Sequence, residues 1–357
     1  MKKRFLAVFL VCAMLLSVAC SPAPPAAQPA PAQEAATAAP AEAPAAPVEA
    51  PAEAAAPMPI KAILLLSGLA NDGGWNQCGY LASVYLNENL ENVEAEYIEN
   101  VTLTTLEATL RDYADRGYNL LVGFSFDVGE IMFKVAQDYP DANFVWAQGN
   151  LKGDNFVSFT APLEQNAFLI GALSAAMSKT GKIGFVGGMD TPTLVNVLNG
   201  YKAGAQYVNP DAEVLYSFLG TWSDAEKSKL TCFTLFEQGV DVMMGRGDGV
   251  LRGALQACKE KHVYFTGDAS DQNQLAPDII ISSAIWNVGR NLEIIIEDIR
   301  AGTFGNEIYH LGMDEGVVDI ADFHGLVPDD IAQQIYDIRD KIKSGEIVVE
   351  QNFTLAE

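Results

Sequence analysis

The side chains best suited to chemistry lie beside glycine-rich breaks in the sequence. The first break, residues 67–77, reads Ser-Gly-Leu-Ala-Asn-Asp-Gly-Gly-Trp-Asn-Gln. Its glycines allow a tight turn. Asp72 or Asn76 can cap a following helix or meet a polar solute. Trp75 offers a flat face on which a planar ring can stack. A second break, 123–127, ends in Phe126-Asp127, where the carboxylate again fits either a helix cap or an acceptor for ring N–H and amino groups. A third, Gly245-Arg246-Gly247-Asp248-Gly249, presents backbone amides that can reach a hydroxyl or carbonyl. Arg246 there either meets such a solute or pairs with Asp248. Asp268 lies in a fourth break, and Trp286-Asn287 form a fifth position. Trp222 either lines a cleft mouth or packs between helices. These residue types hold a solute by stacking and hydrogen bonding.

Other chemistry is excluded residue by residue. Gly187-Gly188 lacks the Lys-Ser/Thr that a phosphate loop needs, which rejects nucleoside triphosphates. The acidic run around Asp268 and Asp271 lacks the spacing and terminal Glu of a calcium loop. His262, His310 and His324 are scattered, with neither HExxH nor GxSxG near them. Of the five cysteines, Cys12 and Cys20 are N-terminal, and Cys78, Cys232 and Cys258 sit in apolar, helix-like stretches without CxxC spacing. No metal, cofactor or catalytic residue is expected.

Alternating elements must position the binding residues. Apolar runs of strand length recur at 61–66, 93–98, 119–122, 143–147 and 157–160, then at 182–186, 213–218, 240–244, 262–266 and 279–283. Helix-period segments fall between them. The runs are apolar along their length, which predicts burial on both faces of parallel sheets. The expected class is α/β, doubly wound. Short strands at 309–311 and 316–319 and a helix over 328–344 break the rhythm near the end. They suggest a chain that crosses between two lobes more than once. In such sheets ligands bind beyond the carboxyl ends of strands, where these breaks lie.

The N-terminus sets the compartment. Lys2, Lys3 and Arg4 precede an apolar run at 5–16, then Ser17-Val18-Ala19-Cys20. The pattern predicts an export signal over 1–20 with lipid attached at Cys20. Ser17 departs from the Leu, Val or Ile usual three residues before a lipid cysteine, so plain cleavage and secretion is the competing expectation. The run is short for an uncleaved membrane anchor. Residues 21–58, almost entirely Ala, Pro, Gln and Glu, read as a disordered tether. What remains, about 300 of the 357 residues, suffices for two lobes. The formal net charge of -24 repels phosphate backbones, so no nucleic acid partner is expected.

From residue 61 to 344 the chain resembles the basic membrane protein family of lipoproteins, also described as purine-nucleoside-receptor-like. The likeness rests on Asp72-Gly73-Gly74-Trp75-Asn76-Gln77, on 180–188, on Gly200-Tyr201-Lys202-Ala203-Gly204 with Asn209-Pro210-Asp211, and on Ser270-Asp271-Gln272-Asn273 with Leu275-Ala276-Pro277. The resemblance implies a type I periplasmic-binding fold, two lobes joined by a multi-crossing hinge. It also implies a substrate-binding role beside the permease and ATPase subunits of an ABC importer. Trp75 would stack a purine base, and Asp127 would read the base edge. Tyr201 and Trp222 would be further aromatic walls, and residues 245–249 would approach the ribose or ring. In the family's Gly-x-Asp-x-Asp-Gln, the first Asp falls at Ala269 here, with Asp268 shifted by one. A Lys expected after the last long strand is replaced around Trp286-Asn287. Both changes remove sugar contacts, which points to a flatter, less hydroxylated ligand.

The expectation is therefore a monomeric, lipid-anchored, extracytoplasmic lipoprotein that binds a purine nucleoside or base for a permease. Its lobes are expected at 59–161 plus about 286–315, and at 162–285 plus about 316–357. A ligand-presenting sensor, riboflavin or sugar binding on the same fold, and a nucleoside hydrolase are the alternatives.

Overall fold

The computed structural model describes residues 56–355. The expected signal, Cys20 and all but the last residues of the tether lie outside the described residues.

The chain first builds β1 (Ile60–Leu66), α1 (Trp75–Asn89), β2 (Val93–Ile98), α2 (Leu103–Asp115), β3 (Leu120–Phe124), α3 (Gly129–Ala136), β4 (Asn143–Ala147) and β5 (Phe156–Thr160). A second series follows: α4 (Leu163–Met177), β6 (Lys182–Gly187), α5 (Pro192–Val208), β7 (Glu213–Phe218), α6 (Ala225–Glu237), β8 (Val242–Arg246), α7 (Asp248–Lys261), β9 (Tyr264–Gly267) and β10 (Ile280–Trp286). Then come α8 (Val288–Ala301), β11 (Ile308–His310), β12 (Val318–Ile320) and α9 (Asp329–Lys343).

The strands form two six-stranded sheets, ordered β11-β5-β4-β3-β1-β2 and β12-β10-β9-β8-β6-β7. Every pairing is parallel except that of β12 with β10. The chain thus passes between sheets three times: after β5, after β10, and between β11 and β12. This is the two-lobed α/β fold with a multiply crossing hinge.

Interior strands β3 and β8 are buried at every position. The uniform reading of strands as buried on both faces fails at β2 and β7. These are the outer strands of the two sheets, and most of their residues keep partial exposure. Helices α4 and α5 pack backbone to backbone: a Cβ on Gly171 would meet the Tyr201 carbonyl, and one on Gly204 the Phe168 carbonyl. That close approach fixes the helices beneath the second sheet's contribution to the cleft.

Candidate functional site

A cavity of about 600 Å³ opens between the two sheets at the carboxyl ends of their strands. Its walls include Ser67 after β1, Ser125 and Phe126 after β3, and Gln148 after β4. From the second sheet come Arg246 at the end of β8, Asp268 and Ala269 after β9, and Trp286 at the end of β10. The volume lies within the ~300–1,000 Å³ usual for small-molecule sites.

The aromatic wall is built around Trp75. Its indole N–H donates to the Phe124 carbonyl at 3.0 Å, which fixes the ring's angle. Phe124 stacks on it with centroids 4.4 Å apart, and Phe126 stacks with centroids 4.9 Å apart. Trp286 lies tilted, 5.4 Å from Trp75. Trp222 closes another side. Its ring lies over Gly188, where any side chain would collide with it, and close to Gly247, where one would fit tightly. Gly247 also holds φ +112°, a backbone region that favours glycine.

The polar groups divide into the engaged and the free. Asp72 does not line the cavity. Its carboxylate accepts from the backbone N–H groups of Gly74, Asn76 and Gln77 and from Asn76 Nδ2, which caps α1. Asn76 borders the cavity, but its carbonyl oxygen accepts from Gly68 N–H at 3.0 Å and its amide is spent on Asp72. Both residues hold the loop that presents Trp75.

Four expected residues stand elsewhere. Asp127 is exposed and tied to the Ser125 hydroxyl at 2.7 Å, outside the cavity wall. Tyr201 is 0% exposed, in the core beneath β6, with its hydroxyl 3.4 Å from the Gly184 carbonyl. Gly245 is buried within β8 against Ala254 and Leu251. Asn287 caps α8, accepting from Arg290 N–H at 3.0 Å, and borders a smaller hollow of about 200 Å³ behind the hinge. The Gly249 N–H is not free for a solute, because it already donates to the Trp222 carbonyl at 2.9 Å.

The expected choice for Arg246, solute or Asp248, resolves differently. Its Nε donates to Asp268 Oδ2 at 2.9 Å and its Nη2 stands 2.7 Å from Oδ1. Burial pushes the Asp268 carboxyl above its ordinary range, and the Arg246 guanidinium opposes that rise. Asp248, the first residue of α7, is the carboxylate in the wall without a side-chain partner. Burial raises its pKa first, the Asp72 charge adds to this, and Arg252 opposes it.

Sequence reasoning did not single out Gln148, which the post-strand rule applied to β4 would have found. It sits in the wall with φ +58°, a left-handed conformation uncommon outside glycine. Nor did it single out the residues that join the lobes. Arg252 Nη1 donates to the Asp72 carbonyl at 3.0 Å, Gln272 Nε2 donates to the Gly73 carbonyl, and Cys78 Sγ donates to the Ala269 carbonyl at 3.4 Å. Each bond runs between the α1 segment of the first lobe and the second lobe.

Among the described residues, no three His, Cys, Asp or Glu side chains gather as metal ligands. No helix among them is long and apolar enough to cross a membrane.

Comparison with known proteins agrees with this geometry. The chain is 30% identical over 289 residues to the transcriptional activator protein Med of Bacillus subtilis, covering 80% of this chain and 90% of that one. It is 30% identical over 296 residues to a purine-binding protein of Brucella abortus, covering 82% and 84%. A solved ABC-transporter solute-binding protein from Conexibacter woesei superposes with a TM-score of 0.72 at 26% identity, covering 82% of this chain and 99% of that one. The profile of the Bmp family, described as ABC transporter substrate-binding protein PnrA-like, matches residues 60–352. Two lobes, a cavity at their strand ends and that match together place the chain in the Bmp family of ABC-transporter substrate-binding proteins.

Proposed function

We propose that this protein captures a purine base or nucleoside, or a similar flat heteroaromatic solute, between its lobes and hands it to an ABC permease. The observation that carries this reading is the aromatic wall of Trp75, Phe126, Trp222 and Trp286 around a cavity with few polar groups. Such a wall takes a planar ring by stacking and apolar burial. The Brucella relative named as purine-binding supports the same class. A ligand that touches both lobes favours the closed arrangement through its differential affinity for it.

Trp75, Trp222 and Trp286 are the proposed stacking residues, Phe126 the ring that a ligand displaces from Trp75, and Arg246, Asp248, Asp268 and Gln148 the polar ones. The lobes are proposed at 59–161 with about 286–315, and at 162–285 with about 316–357, which matches the sheet membership of β11 and β12. The protein acts as an extracytoplasmic monomer held to the membrane by lipid on Cys20. The motif over 17–20 supports that anchor.

The test is ligand retention. The purified full chain is denatured and its released small molecules are identified by mass spectrometry, beside a Trp75→Ala, Asp248→Ala double variant. A purine or related ring carried by the parent and missing from the variant is expected. A free sugar, or a ring retained equally by both, would refute the reading.

One relative supports a second reading, that of a sensor presenting ligand to a transcriptional system, because Med is named as a transcriptional activator. Deleting the gene for this chain separates the two. Loss of purine uptake is the importer's outcome; unchanged uptake with altered transcription is the sensor's.

A further inference from the structure

Arg246 is 7% exposed at the cavity wall. A guanidinium carries five N–H donors, accepts nothing and stays protonated. Here Nε and Nη2 face Asp268, which uses one edge of the fork. Nη1 is buried without a hydrogen-bond partner among the described residues. Two more nitrogens of the same wall are in the same condition, Trp286 Nε1 and Gln148 Nε2. A glutamine amide can turn over and offer its oxygen instead, but the indole and the guanidinium can only donate. Buried donors of this kind cost free energy until an acceptor reaches them.

We propose that Arg246 determines ligand specificity. In this reading Nη1 donates to a carbonyl oxygen on a neutral, oxo-substituted heteroaromatic ring, with the Trp286 N–H as the second donor. The inference rests on the heteroaromatic reading above and narrows it. A carbonyl oxygen has two lone pairs and no hydrogen, so it can accept from Nη1 and from the Trp286 N–H together. Charge narrows the class further. Asp268 already answers the Arg246 charge, and Asp248 adds a carboxylate that Arg252, beyond the wall, only partly offsets, so the wall has no spare positive charge for an anion. A ligand carrying phosphate or carboxylate meets repulsion there. The class is a 6-oxopurine or an equivalent ring lactam. The sequence leaves Arg246 between a solute and Asp248, and only its pairing with Asp268 shows which of its nitrogens remain unspent.

The test compares hypoxanthine with unsubstituted purine, the same ring without the carbonyl oxygen, by titration calorimetry on the full chain. The parent is expected to prefer hypoxanthine by about ten-fold or more, because a site built around a hydrogen bond rejects the analogue lacking it. Arg246→Met with Asp268→Asn removes both charges together and leaves no carboxylate buried alone. Its preference is expected to fall to within about two-fold, with purine affinity little changed. Should that pair fail to fold, Trp286→Phe keeps an aromatic ring, loses only the donor, and is expected to cut the preference several-fold. A parent that binds both compounds equally, or a variant that keeps the full preference, overturns the inference alone. A parent that binds neither compound, nor their ribosides inosine and purine riboside, overturns the heteroaromatic reading and the inference with it.

Discussion

Arg252→Ala tests whether the bonds across the cleft set how long a ligand stays. Arg252 lies outside the cavity wall, so its removal deletes no ligand contact. What it deletes is the 3.0 Å bond from Nη1 to the Asp72 carbonyl, which joins α7 of the second lobe to the loop that carries Trp75. A net hydrogen bond contributes about 0.5–1.5 kcal/mol, and this one, on an exposed side chain, stands near the middle of that range at about 1. The bond exists only while the lobes are together, so its loss lowers the population of the closed state by the same free energy. About 1 kcal/mol corresponds to roughly five-fold in Kd. Contacts made after encounter appear in the dissociation rate. The expected result is a roughly five-fold faster koff with kon unchanged, and Arg252→Lys is expected to recover part of the loss. Three of the four tryptophans line the cavity, so stopped-flow tryptophan fluorescence with hypoxanthine reports directly on the site. Measurement at mildly alkaline pH keeps Asp248 ionised, since loss of the Arg252 charge lets its pKa rise further. An unchanged koff, or a loss confined to kon, would refute the reasoning.

Other perturbations separate the remaining parts. Trp75→Ala removes the stacking platform; base–aromatic stacking gives about 1–3 kcal/mol per base, and the loss of hypoxanthine affinity by calorimetry is expected at the low end, about five-fold. Asp248→Asn bears on pH. Burial raises the folded-state pKa of Asp248, so the ionised form penalises the folded state above that pKa, and the penalty disappears as pH falls below the unfolded value of about 3.9. The variant should melt higher than the parent at neutral pH, with the gain shrinking on acidification; a gain that grows at acid pH would reverse the assignment. Gly204→Ala drives a methyl against the Phe168 carbonyl and should cost about 1–3 kcal/mol by overpacking, seen as a lower thermal midpoint.

The order of elements was legible because parallel, doubly covered strands leave continuous apolar runs, and glycine and asparagine breaks separate them from helices. Val93–Ile98, Asn143–Ala147 and Glu213–Phe218 fall at the residues the pattern indicates. Edge exposure was legible only in part: Glu94 and Glu96 alternate with apolar residues in β2 and are exposed, whereas β7 reads as interior and its outer place in the sheet exposes it. The cavity's location followed from the post-strand rule, but its membership depended on pairing. Arg246 and Asp268 are 22 residues apart and meet because β8 and β9 are hydrogen-bonded neighbours with adjacent carboxyl ends. Asp248 is two residues from Arg246 yet begins α7, so it does not take up that partnership. Asp127 looks equal to Asp248 as a post-strand carboxylate, but the Ser125 hydroxyl holds it at the rim.

Affinity and selectivity come from different parts of this cavity. In the absence of a solute the Trp75 indole is already stacked, by Phe124 at the end of β3 and by Phe126 on the loop beyond it. Phe124 is 0% exposed and stays in the core, whereas Phe126 is 58% exposed and free to swing away. A ligand ring that takes the place of Phe126 exchanges one stack for another, so much of the usual stacking gain cancels. The net gain from Trp75 is therefore smaller than for an uncovered indole, which is why its loss is placed at the low end of the stacking range. What does not cancel is the satisfaction of Arg246 Nη1 and Trp286 Nε1, since nothing in the described protein meets those donors beforehand. A ring without an acceptor can displace Phe126 but leaves both donors unmet, so it binds weakly. A ring with a well-placed carbonyl does both, and the bonds from Arg252 and Gln272 then hold the lobes around it.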